Sequence, residues 1–187
     1  ALYHVFWATI EFPSFAETGG FGITLAAATA LGAAKLWMRF PGGILAGIVG
    51  DRVGNPLLMV WLFLLSMLAC LYLALMPATP SWAWTLWVFI FPFALLAYGL
   101  RGVFWALLYN CPVPTRVLGT AIGVVSIVGY SPDAYVPQVA AWLHTHYDTK
   151  TAYQGFFAYV AAVAGIGMLA SWLLYRLTRQ QGVPEST

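Results

Sequence analysis

Five ionised side chains stand inside long apolar runs of this 187-residue chain: Glu11, Lys35, Arg39, Arg101 and Asp133. A charge at the centre of a bilayer helix costs about 2.5–3.5 kcal/mol on the insertion scale, so such groups face a partner or a watery cavity and avoid lipid. Lys35 and Arg39 are four residues apart and share one helix face. Three cations against two anions suit an anionic, polar small solute, held by Lys35, Arg39 and Arg101. Tyr98, Trp105 and Tyr130 lie on the same runs as Arg101 and Asp133 and would shape the pocket. Glu11 and Asp133 are the carboxylates able to take a proton, so protons or sodium are the candidate coupling ions. Counted at 1.5 Å per residue from one membrane face, Lys35 lies roughly 22 Å deep and Asp133 roughly 24 Å, which predicts that the two neutralise each other.

Asp133 sits in GYSPDAYVP, 129–137, where Pro132 and Pro137 each remove a backbone donor and crowd the preceding turn. A kink or unwound segment is expected there. Broken backbone at membrane depth is tolerated where it lines a cavity or is covered by protein. Pro92 and Gly99 are expected to loosen the helix before Arg101. Catalysis is not expected. His4, His144 and His146 do not form a metal set, no hydrolase, phosphate-loop or paired-cysteine motif is present, and no cofactor is implied. Cys70 and Cys111 fall at different depths, against a disulfide.

The elements that carry these residues follow from composition. The chain is 61% hydrophobic and 7% charged, with mean hydropathy +0.81. A soluble surface needs about a quarter of its residues charged, so this is a membrane protein. A spanning helix needs roughly 20 apolar residues. Six runs qualify, at about 1–16, 21–50, 57–76, 82–109, 117–143 and 153–177. Their helical length argues against a β-barrel. The fold class expected is an all-α bundle of six transmembrane helices, the first one truncated. The whole chain, 1–187, forms one transmembrane unit. Starting within an apolar run reads as a fragment of a longer polypeptide, and QQGVPEST as its C-terminal tail. A net charge of +2 gives no footing for nucleic acid.

Arg52, Arg116, Arg176 and Arg179 fall at alternate turns, on one side. By the positive-inside rule that side is cytoplasmic, with the C-terminus. Gly43-x-x-x-Gly47 and Gly119-x-x-x-Gly123 follow the spacing that lets membrane helices approach closely.

The run Gly47-Ile-Val-Gly-Asp51-Arg52-Val-Gly54 resembles the G-x-x-x-D-R-x-G signature of the major facilitator superfamily, and it falls between the second and third apolar runs, on the cytoplasmic side. LRGVFWALL…GTAIGVVSIVGYSPD, 100–133, is similar to bacterial permeases of that superfamily, near the organic-anion and sugar carriers. Downstream of Gly54, where the family carries basic residues, this chain has Asn55-Pro56. The resemblance implies the C-terminal six-helix half of a twelve-helix transporter in the bacterial inner membrane. The partners implied are lipid, a small solute and the N-terminal half. It implies that the first, second, fourth and fifth spans line the cavity while the third and sixth face lipid. It also gives Gly47, Asp51, Arg52 and Gly54 a gating or latching role. The competing reading is a non-transporting sensor or assembly subunit on the same fold.

Overall fold

A computed structural model describes residues 1–109 and 114–180, and among them every regular element is helical. Cys111, half of the expected cytoplasmic turn at 109–116 and most of the polar tail lie outside the described residues. The helices are α1 Leu2–Thr18, α2 Leu25–Trp37, α3 Arg39–Val53, α4 Asn55–Leu75, α5 Ala83–Tyr109, α6 Leu118–Tyr130, α7 Pro132–His146 and α8 Thr149–Gln180. Three stretches are long and apolar enough to cross a membrane: Asn55–Leu75, Pro80–Leu107 and Thr149–Arg179. They correspond to the third, fourth and sixth expected spans.

The second and fifth expected spans are each divided. Ser131 separates α6 from α7, with Pro132 at the start of α7, where the sequence predicted a break. Ser131 keeps helical dihedrals (φ −51°, ψ −31°), so the helix is interrupted there without unwinding. The second span breaks at Met38, also helical at φ −71°, ψ −8°. Pro41 explains it, because its ring nitrogen has no hydrogen for the Trp37 carbonyl four residues back. Pro92, by contrast, sits inside an unbroken α5.

Helix ends follow local chemistry. The Thr24 hydroxyl caps α2 by accepting from the Ala27 N–H at 3.3 Å. Asp148 caps α8, its carboxylate accepting from the Thr151 N–H at 3.2 Å. Hydrogen bonds from Thr151, side chain first and backbone second, hold that exposed carboxyl below its ordinary value of 3.8. Gly54 joins α3 to α4 at φ +86°, a left-handed conformation that glycine reaches without a Cβ clash. The turn at the signature motif thus has a backbone reason for one of its glycines.

α4 and α8 form the largest helix–helix contact, and both present exposed apolar rows, Trp61, Leu65 and Leu68 on one, Ile166, Leu169 and Leu173 on the other. α1 packs against α2, α4, α5, α6, α7 and α8. Its buried side chains include Val5, Ala8, Phe12 and Phe15. A helix buried on most sides must be apolar nearly all round, which the first apolar run is. The bundle is therefore organised about α1.

The close-packing glycines are one register away from the spacing noted in sequence. A Cβ at Gly42 would meet the Tyr98 Cβ at 3.0 Å and the Leu95 carbonyl oxygen at 3.1 Å, and one at Gly99 would meet the Ala46 Cβ at 3.4 Å. Gly42-x-x-x-Ala46 thus seats α3 on α5. Cβ positions at Gly43, Gly47, Gly119 and Gly123 are open.

Candidate functional site

α1 brings most of the polar side chains together. On its first two turns, Tyr3 and Phe6 enclose Arg101 of α5, the guanidinium carbon lying 4.5 Å from the Phe6 ring centre and 5.4 Å from that of Tyr3. A guanidinium stacked on a ring has its flat face covered and its in-plane N–H groups open to an anion. Tyr130 meets Tyr3 edge-on at 4.7 Å, and the buried Tyr98 meets Phe6 at 6.2 Å. Arg101, Tyr98 and Tyr130 therefore do converge, through two aromatic residues that the sequence reading passed over. Trp105 packs edge-on against Phe104 at 5.2 Å with its surface exposed. Arg39 is exposed at the start of α3, within electrostatic reach of Tyr98.

Asp133 joins the same region by accepting a 2.7 Å hydrogen bond from the Trp7 indole N–H. It stands in the first turn of α7, where the helix dipole favours a carboxylate.

Lys35 does not pair with Asp133. It is 8% exposed, and its ammonium donates to the backbone carbonyl of Thr9 on α1. Pro13, inside α1, has no N–H to return to that carbonyl. The half-buried Glu11 carboxylate lies within electrostatic reach of Lys35 and of His144 on α7. Equal depth predicted a Lys35–Asp133 pair, but depth says nothing of the direction a helix face points. α2 packs on α1 and α5, and the ammonium spends itself there.

A third polar group was not expected. His4, 4% exposed, has its Nε2 at 2.9 Å from the Tyr159 hydroxyl and 3.2 Å from that of Tyr135. Its Nδ1 is buried without a partner among the described residues. Beside it lies a cavity of about 390 Å³ lined by Tyr3, His4, Phe104, Ser131, Tyr135 and Ser171, among others. The sequence signal was slight: one histidine among apolar residues has no pattern until the fold supplies its tyrosines.

Asp51 and Arg52 are exposed in the last turn of α3, and the Cβ position of Gly47 is open. Toward the end of α8, Arg176 stacks on Trp172 at 4.0 Å and Arg179 lies 5.8 Å from Tyr175, the aromatic-cation pairing expected near a headgroup layer.

No family model matches the chain, and no solved structure matches it. The chain is 29% identical over 83 residues to the inner membrane protein YqcE of Escherichia coli (strain K12). That match covers 44% of this chain and 19% of the relative's length. The likeness to an inner membrane protein agrees with the three spanning helices, and the chain is a helical membrane protein.

Proposed function

We propose that this chain is the six-span half of a secondary transporter of the major facilitator type, moving a small anionic solute by alternating access. The observation that carries the reading is a matched pair of helix breaks. In chain order the helices form two triplets, α1, α2–α3, α4 and α5, α6–α7, α8. The middle span of each is split into a 13-residue and a 15-residue helix around one residue, Met38 or Ser131. Interrupted helices at corresponding places in repeated units are the pattern by which transporters build a midplane site. A break frees backbone carbonyls and lets one helix segment swing against the other.

Arg101 supplies the charge. Phe6 and Tyr3 orient its plane, and Tyr98 and Tyr130 stand around it. The signature-like turn at 47–54, with its left-handed Gly54, supports the family reading. The basic residues Arg52, Arg116, Arg176 and Arg179 support a cytoplasmic C-terminus. In this reading the bundle lies in the bacterial inner membrane.

Counterflow uptake by the full-length protein in liposomes tests the proposal, with labelled organic anions and neutral sugars as the panel. Saturable anion uptake is expected, lost at least tenfold (about 1.4 kcal/mol) in Arg101→Ala. Sugar uptake with anions ignored refutes the anionic solute. Ligand binding without flux of any solute refutes transport.

A further inference from the structure

Lys35 is the most deeply buried cation among the described residues whose burial is assigned, and its seat is built by backbone as much as by charge. Pro13 frees the Thr9 carbonyl, and the Lys35 ammonium takes it. One turn before Lys35 on α2, Gly32 receives the Pro13 ring: a Cβ there would stand 3.3 Å from the proline Cγ. Positions 32 and 35 share a face of α2, so that face meets both consequences of one proline, its bulk and its liberated oxygen. Glu11 adds a carboxylate within electrostatic reach. A freed, buried backbone oxygen with a carboxylate in electrostatic reach favours a monovalent cation.

The geometry points to a cation seat at the α1–α2 seam, formed by the Thr9 carbonyl beside the Pro13–Gly32 contact, in which the ammonium of Lys35 is the resident cation. We infer that an alkylammonium takes that seat when the lysine side chain is removed. The assignment goes beyond the transport reading and withdraws Lys35 from the solute-binding set, leaving the partly buried Arg101 as the cationic contact for the solute. Along α1 the seat lies three to six residues past the Phe6 and Tyr3 rings, roughly 4.5–9 Å, so the two cations serve different places.

The test reads thermal stability of the purified full-length protein in detergent, which does not depend on whether it transports anything. Lys35→Ala removes the side-chain atoms of propylammonium, so propylammonium is the probe, and propanol is the control of equal length without charge. The expected result is a lowered Tm in Lys35→Ala, raised again saturably by propylammonium and not by propanol, with no effect on the wild type, whose seat is filled. In Lys35→Ala combined with Pro13→Ala the helix reclaims the Thr9 carbonyl, and the rescue is expected to vanish. A Tm indifferent to propylammonium, an equal response to propanol, or a rescue that survives Pro13→Ala overturns the assignment.

Should Lys35→Ala not survive purification, Lys35→Met keeps the stem without the charge. Its loss of stability is then compared with and without Pro13→Ala. A smaller loss in the Pro13→Ala background supports the seat, and an equal loss in both overturns it.

Discussion

Trp7→Phe isolates the bond that ties α1 to α7. The substitution keeps an aromatic body on α1 and deletes a single donor, the indole N–H that gives Asp133 a 2.7 Å hydrogen bond. Two scales bear on its worth. Hydrogen bonds to charged groups contribute about 1.5–3 kcal/mol net in soluble proteins. Interhelical polar pairs in a membrane bundle average about 0.6 kcal/mol and reach about 1.7. Asp133 is exposed at the first turn of α7, so lost indole contact is partly made good by water and by the helix N-terminus. The lower scale governs, and the short distance and formal charge place the bond in its upper part, about 0.6–1.7 kcal/mol. The assay is reversible unfolding in mixed detergent micelles of the wild type, Trp7→Phe, Asp133→Ala and the double variant. Indole packing lost in Trp7→Phe appears in both arms of the cycle and cancels, so the coupling energy reports the bond. A coupling below about 0.3 kcal/mol, within the ordinary additivity error, would mean that α1 does not hold the kinked span by this contact.

Two further outcomes follow from the packing and the helix caps. Gly42→Ala presses a methyl against Tyr98 and Leu95 and is expected to destabilise by about 1–3 kcal/mol, whereas Gly47→Ala, with open space at its Cβ, is expected to be neutral in the same unfolding assay. Asp148 caps α8 only as a carboxylate, and its folded-state pKa is depressed below 3.8, so its stabilisation is complete above that value and lost as pH falls through the folded one; Asp148→Ala should unfold more readily than wild type at neutral pH, with the gap closing in strong acid.

Charge placement was the part of the site most legible in sequence. An ionised group in an apolar run has few tolerable surroundings, so all five were marked as inward-facing from composition alone; Lys35 is buried and Arg101 and Glu11 partly so, whereas Arg39 and Asp133 are exposed. What they face was not legible. Equal depth suggested a Lys35–Asp133 pair, yet a count of rises carries no azimuth, and each found a partner on α1 instead, the Thr9 carbonyl and the Trp7 indole. Small-residue spacing has the same weakness. Gly43 and Gly47 satisfy the motif, and Gly43 does lie against Gly102 of α5, but the tightest approach is made by Gly42, with Ala46 against Gly99, because Tyr98 and Gly99 lie on that side. The α6–α7 break was legible since Pro132 is flanked by no compensating pattern, while the Met38 break needed Pro41 to be read four residues backward. The aromatic wall of the Arg101 site, Tyr3 and Phe6, was hidden because an aromatic residue in an apolar helix is ordinary until something charged lands on it.

The prolines explain why one kink carries charge and another does not. Each proline within a helix strips a donor from the carbonyl four residues earlier, and inside a bilayer that oxygen must be satisfied by protein. At the α6–α7 kink, Pro132 strips Val128, and the hydroxyl of Ser131 donates to the Val128 carbonyl at 2.8 Å. That remedy is neutral and local, made by the residue at the break itself. In α1, Pro13 strips Thr9, and the remedy arrives from another helix as an ammonium. That remedy is charged and distant. It joins the backbone of α1 to the position of α2, and any motion that separates the two helices must leave both a bare carbonyl and a bare cation behind. The same backbone defect therefore yields a locally satisfied break between α6 and α7 and a charged tie between α1 and α2, close to the break at Met38 that begins three residues beyond Lys35.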